Sequence, residues 1–269
     1  MDNIEYWLAV SMMKGIGPSR LSEVYSSATS PEEMLKGQEI LLEKSRKYLD
    51  YCDENKVKVM FCFDKEYPAV LHSIADKPKV IFTRGDIGLL EKPSLAIVGT
   101  RQPSEKAALF AKNIASSLSK SFNIVSGGAE GIDSMAHLGA LEGFGKTICV
   151  LGSGFLNKYP ALNNKMFDEI AEKGLLITEQ APDFVGNRFS LLQRNRITSA
   201  LSKAVFVVAS KETGGSMWQA ELAWRQKRQI FVPSLSLGLE PSAGIKQLLE
   251  KGRAVEFDSV EKAAELVGK

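Results

Sequence analysis

Four short segments hold the residues best suited to chemistry: Gly99-Thr100-Arg101, Ser126-Gly127-Gly128-Ala129-Glu130-Gly131, Gly152-Ser153-Gly154 and Thr213-Gly214-Gly215-Ser216. Each follows a β-branched run and precedes a helical pattern, so bare backbone N–H groups lie near a helix start. There the helix dipole and the unpaired amides favour an anion such as phosphate. One such loop is equally well explained by close strand–helix packing. Four along one edge point to a ligand carrying several phosphates. The cations agree with that reading: Arg188, Arg194, Arg196 and Lys203 follow one another with no acid between them. Arg194 and Arg196 bracket Asn195; arginine forks suit phosphate, and asparagine can bond to backbone or a base edge. Arg101 and Lys165 also fall just after strand ends, so the row of cations fits an extended polyanion better than one small nucleotide. A solvated charged face is the competing explanation of the basic run.

Other chemistries lack their parts. A dinucleotide site needs one G-x-G-x-x-G turn and an acid at the end of the next strand, where this chain has Gly152-Ser153-Gly154. Gly145-Lys146-Thr147 imitates a Walker loop, but Ala140 stands where its first glycine belongs and Lys146 opens a strand. Gly152-Ser153-Gly154 also lacks the G-x-S-x-G spacing of a nucleophile elbow. Of the two histidines, His72 has no acidic or cysteine pattern around it. His137 shares a helix face with Asp133, and two ligands do not make a zinc site. Cys52, Cys62 and Cys149 are widely spaced and form no C-x-x-C pair, which argues against a disulfide framework or structural zinc and for a cytoplasmic protein. No cofactor, metal or catalytic residue is therefore expected.

The elements that position these loops follow from periodicity. From Ser94 onward the runs LAIVG, FNIVSGG, TICVLGSG, LLITE, AVFVVAS and QIFVPS each precede a helical pattern. Six strand–helix units require crossover connections, hence a mostly parallel, doubly wound α/β sheet whose ligands bind at the strand carboxyl ends. Residues 1 to about 53 read instead as helices over Ile4–Met13, Ser19–Ser26, Pro31–Lys36 and Ile40–Tyr51. Gly15-Ile16-Gly17-Pro18 between the first two is either a phosphate-facing turn of the helix-hairpin-helix kind or a tight helix connection. Short strands are expected at Val57–Cys62 and Val80–Thr83, with a linker over Arg84–Pro93. The expected division is a small helical domain over 1–84, the linker to about 93, and an α/β domain over 94–269. With 269 residues, 44% hydrophobic and 25% charged, the chain has the composition of a globular protein long enough for a large core. Its net charge of only +2 means that a polyanion must be met by local basic surface. The acidic N-terminus is unlike a signal peptide, and no run approaches the ~18 apolar residues of a membrane helix.

Taken in order, these motifs resemble the DNA processing protein A (DprA, or Smf) family. The match runs through Ile97-Val98-Gly99-Thr100-Arg101, Ser126 to Asp133 with His137, Gly152-Ser153-Gly154 with Tyr159-Pro160, Glu179, Arg194-Asn195-Arg196, and Gly214-Gly215-Ser216 with Ala220. The helical N-terminal part resembles that family's leading domain. The resemblance implies a Rossmann-like domain that binds single-stranded DNA, protects it during natural transformation and helps load the RecA recombinase, without catalysis. Carried over position by position, it implies a DNA-binding pocket of Arg101, Ser126, Gly127, Gly128, Lys165, Arg194, Asn195, Arg196, Gly214, Gly215 and Ser216. Two departures stand out: Ala209-Ser210 follows Val208 where the family carries an acid, and the C-terminal winged-helix domain of many members is expected to be missing. The resemblance also implies a homodimer, for which the apolar stripe Ile245, Leu248 and Leu249 is the candidate interface; packing of that stripe on the sheet is the alternative. Two rival functions keep the fold. One is an enzyme removing the base from nucleoside monophosphates, with Glu221 after the Gly214-Gly215 loop as its acid; the other is a nucleotide-sensing module.

Overall fold

The computed structural model describes residues 3–27 and 29–268. The chain opens with α1 (Ile4–Met12), α2 (Pro18–Ser26), α3 (Pro31–Met34) and α4 (Glu39–Glu54), then forms β1 (Lys58–Phe61), α5 (Ala69–His72) and β2 (Val80–Gly85). Proline occupies the first helical position of α2 and α3, where its missing N–H costs nothing. Next come β3 (Ser94–Val98), α6 (Glu105–Leu118), β4 (Asn123–Ser126), α7 (Ile132–Glu142), β5 (Thr147–Val150), α8 (Asn164–Lys173) and β6 (Leu175–Thr178). The remainder is α9 (Arg188–Gln193), α10 (Asn195–Ala200), β7 (Ala204–Val207), α11 (Gly215–Arg225), β8 (Gln229–Pro233), α12 (Ala243–Glu250), β9 (Val255–Phe257) and α13 (Val260–Val267). Side-chain caps define three of these starts: Ser104 accepts the Ala107 N–H at α6, Asn187 the Ser190 N–H at α9, and Ser259 the Lys262 N–H at α13.

All strands join one sheet in the order β1-β2-β6-β5-β4-β3-β7-β8-β9. The run from β6 to β9 is parallel, and β1 and β2 extend it antiparallel. The fold is thus the expected doubly wound α/β sheet. Strands β3 to β7 are buried along their whole length because helices cover both faces. Alternate side chains sort to opposite faces. Leu95, Ile97 and Phe206 pack with Ala111, Ile114 and Ala136 of α6 and α7, whereas Ala96, Val98, Val205 and Val207 pack with Ala220, Ala223 and Leu248 of α11 and α12.

Two expectations change. The strands assigned to the helical unit belong to the common sheet: β2 pairs with β6 from Phe82↔Thr178 to Gly85↔Leu175. Trp7, Phe61 and Ile81 share one apolar cluster with Val150, Ile177 and Ile197. The segment expected as a linker therefore separates neither two sheets nor two cores. Pairing with β2 covers what would otherwise be the open edge of β6. The second change concerns the proposed interface stripe. Ile245 and Leu248 are 1% and 3% exposed and pack on β7, β8 and α11, with Leu249 partly buried against the same cluster. Hydrophobic attraction to the sheet consumes this stripe inside the protomer, so it is not a surface for a second copy.

Replacing Leu248 by alanine should lower stability by about 2–5 kcal/mol, read as a shift of the urea midpoint. Leu248→Arg should fail to give a native circular dichroism spectrum; a folded Leu248→Arg monomer would return the stripe to the surface.

Candidate functional site

β3 sits between β4, reached by the first crossover, and β7, reached only after β4, β5 and β6 have been laid down on its other side. The connections leaving the carboxyl ends of β3 and of its β7 neighbour diverge, and a crevice opens between them. It holds a cleft of about 900 Å³ whose lining includes Arg101, Gly127, Tyr159, Arg188, Arg194, Lys211 and Gly214.

Its floor is built around a buried charge. Arg194, 4% exposed, joins α9 to α10; its Nη1 donates to the Val150 carbonyl at 2.7 Å and its Nε to Leu191 O at 3.3 Å. The guanidinium lies directly under Gly127, where any Cβ would collide with it. Glycine is required here by close approach. Opposite, Asp133 at the start of α7 accepts the Gly127 N–H at 3.2 Å. Burial pushes the Asp133 carboxyl up, against the pull of Arg194 and of the Ala129, Gly127 and Gly99 amides.

The other glycine loops divide by role. At Gly152 an added Cβ would meet Leu191, and at Gly154 the Ala181 and Pro182 carbonyls, so this loop serves packing and not a ligand. Gly214, at φ 131, has no heavy atom within 4 Å of where a side chain would point. Behind that open loop Asn195 Nδ2 donates to Gly215 O at 3.3 Å, and Asn195 O accepts from Gln219 Nε2 at 3.0 Å. Ser216 Oγ lies 2.7 Å from Ser210 Oγ. The loop is held from beneath and bare above.

Of the sequence-derived residues, Arg101, Gly127, Arg194, Asn195, Gly214, Gly215 and Ser216 line the cleft. Ser126 does not; its buried hydroxyl donates to Ile97 O at 2.7 Å. Gly128 turns towards Phe167 and Cys149. Lys165 is exposed on the first turn of α8, outside the lining. Arg196 points away, with both terminal nitrogens on the Glu179 carboxylate at 2.6 Å and Nε 2.8 Å from Asp76 O. The cleft is also lined by Gln102, Lys211 and Trp218, which the sequence did not single out, and by Thr213, Arg188 and Tyr159, named above in the glycine loop, the basic run and the family match but not in the binding pocket. Adjacency to the glycine loops was the available signal for Gln102, Lys211 and Thr213. For Trp218 only the fold reveals it.

His137 is fully buried in α7. The Thr147 hydroxyl gives its hydrogen to Ile124 O at 2.7 Å, so it must accept from His137 Nδ1, 2.6 Å away. Nε2 is then a buried acceptor without a partner. Burial, with Arg194 adding repulsion, pushes the imidazole pKa down to about 3.

These features define an open, cation-lined cleft at the switch point of a doubly wound α/β protein. A model of the family described as DNA recombination-mediator protein A matches residues 58–268, and the chain belongs to that family. DNA processing protein DprA of Bacillus subtilis is 37% identical over 195 residues, covering 71% of this chain and 65% of that protein. The chain thus spans about two thirds of that relative's length. Protein Smf of Synechocystis is 30% identical over 275 residues, or 93% of this chain and 69% of that one. Among solved structures, DNA processing protein A from Helicobacter pylori, described for its single-stranded DNA binding mode, superposes with a TM-score of 0.72. It is 32% identical and covers 78% of this chain and 95% of its own. The X-ray structure of DprA from Streptococcus pneumoniae gives a TM-score of 0.73 at 27% identity, covering 97% and 91%.

Two outcomes follow. Arg196→Ala should cost about 3–5 kcal/mol in urea unfolding by stranding Glu179, and Arg196→Lys should recover only part, because one ammonium lacks the planar fork that gives each Glu179 oxygen its own nitrogen while Nε reaches Asp76. Below pH 6.5 the unfolded chain binds a proton at His137 that the folded chain refuses until about pH 3. Stability should therefore fall as pH falls through that window, and His137→Gln should flatten the dependence of the urea midpoint on pH.

Proposed function

We propose that the cleft binds the phosphate backbone of single-stranded DNA, and that the protein shields such DNA and helps deliver it to the RecA recombinase during transformation or recombination. One observation carries the reading. Among the described residues lining the cleft, Arg101, Arg188 and Lys211 are exposed cations, and the single acid, Asp133, is buried against backbone amides. Mobile cations beside bare glycine amides suit a chain of phosphates. The relative from Helicobacter pylori, whose structure concerns single-stranded DNA, supports the same ligand. The family resemblance carries the association with RecA and the pairing of two protomers, which would need a surface other than the Ile245–Leu248 stripe.

The base-removing enzyme fares worse. Glu221 lies outside the cleft lining, and its carboxylate is held by Arg225 and Arg253. Those hydrogen bonds, Arg225 first, keep it below the ordinary glutamate range, opposite to what a general acid needs.

Oligo-dT binding should weaken with rising salt, with a log–log slope of about −0.7 per phosphate contacted. Arg101→Glu and Lys211→Glu should each weaken binding and flatten that slope, whereas Arg196→Lys should change stability with little effect on the slope. Lys165→Glu tests whether the strand continues over α8. Blunt duplex should bind less well than oligo-dT; equal affinity would overturn the single-strand reading. AMP or ATP incubated with the protein and magnesium should remain intact, and product above a Glu221→Ala control would restore the enzyme.

A further inference from the structure

Two large aromatic side chains stand exposed at the cleft, where a purely phosphate-binding site has no use for them. Tyr159, 43% exposed, comes from the connection after β5; Trp218, 41% exposed, comes from the first turn of α11, which follows β7. In the sheet order β5-β4-β3-β7 these two connections flank the carboxyl end of β3, which carries Arg101. The aromatics therefore belong to opposite walls with the cation between them.

Burying large rings is favourable by a few kcal/mol, so an exposed tryptophan in a cavity marks a surface waiting for an apolar or π-rich occupant. The core does not need Trp218: its neighbours Gln219 and Ala220 supply the buried face of α11, and the Trp218 ring has the Arg225 guanidinium over it, 5.8 Å from its centroid. The Trp218 backbone N–H donates to Gly214 O at 3.0 Å, the bond that opens α11, so the indole is carried on the turn that starts at Gly214-Gly215. A phosphate resting on the amides of that turn would hold the adjoining nucleotide beside the indole.

Resting on the single-stranded DNA reading above, we propose that Trp218, with Tyr159 facing it, is a base-stacking subsite: the cleft takes the phosphates by charge and one or more unpaired bases by π-stacking. Every base has a π-face, so such a subsite tolerates sequence. It excludes duplex, whose bases are stacked on each other. Trp218 is then the residue by which this cleft distinguishes single from double strands.

The experiment compares oligo-dT with an abasic oligomer of equal length, which keeps the phosphates and lacks the bases. Trp218→Ala should bind oligo-dT about 5- to 150-fold more weakly, with the salt slope unchanged, and should bind the abasic oligomer as the unaltered protein does. Trp218→Phe should keep most of the affinity. In a Trp224→Phe background the remaining indoles are buried Trp7 and Trp218. Oligo-dT should quench that fluorescence and the abasic oligomer should not, a readout that needs no change at Trp218. Unchanged oligo-dT affinity in Trp218→Ala, an equal loss on both oligomers, or no base-dependent quenching would overturn the subsite. Loss of both ligands by Arg101→Glu in those cases would show that the cleft reading stands without it. Unaltered binding by Arg101→Glu would show that the cleft reading itself has failed.

Discussion

A guanidinium carried into the interior must find acceptors for its hydrogens and a counter-charge, and in this protein the solution shapes the centre of the molecule. Arg194 spends one nitrogen on the carbonyl that ends β5, another on α9, and faces Asp133, whose carboxylate receives the amide of the loop above. This fixes the end of β5, the join of α9 and α10, and the start of α7 relative to one another. It also dictates glycine at 127, since only a residue without a side chain lets the loop pass over the arginine. The cleft floor is thus a by-product of satisfying one buried charge.

A second arginine does comparable work at the other side of α10. Arg196 grips Glu179 with two hydrogen bonds and reaches Asp76 in the segment between α5 and β2. Tyr48 of α4 donates to Asp183, whose carbonyl in turn accepts from Asn157. The N-terminal helices are therefore wired to two of the connections that line the cleft, those after β5 and after β6. Breaking the buried Arg196–Glu179 pair strands a charge, so this link resists change more than a surface salt bridge would.

Arg194 and Arg196 are committed to structure, which sets them apart from the exposed cations lining the cleft. Arg101, Arg188 and Lys211 stand exposed in the cleft lining, and among the described residues only Lys211 of the three has a side-chain hydrogen bond, to Gln102 at 3.4 Å. Structure and surface are thus divided: side chains that hold the cleft in shape are buried and paired, while the cations at its mouth are long and exposed. A chain with a net charge of +2 can present a basic surface only by such local concentration.

The sequence by itself determined the local events. The β-branched runs after Ser94, each followed by a helical period, specified six parallel strands and their helices, and glycine after a strand marked the edge where a site forms. Chain neighbours suffice for that, because periodicity records which face of an element is buried. Only the tertiary structure decided what depends on distant partners. That β2 would pair with β6, that Val255–Phe257 would add a ninth strand, and that the Ile245–Leu248 stripe would face its own sheet were settled by which edges and faces were left open after the rest had packed. The same holds for charge. Arg194-Asn195-Arg196 reads as one basic motif along the chain, yet a helical path turns successive side chains apart, so one supports the cleft, one braces the Gly214-Gly215 loop and one anchors the far side. Which cation is free follows from where its counter-charge lies, and Glu179, Asp76 and Asp133 are neighbours only in the folded molecule.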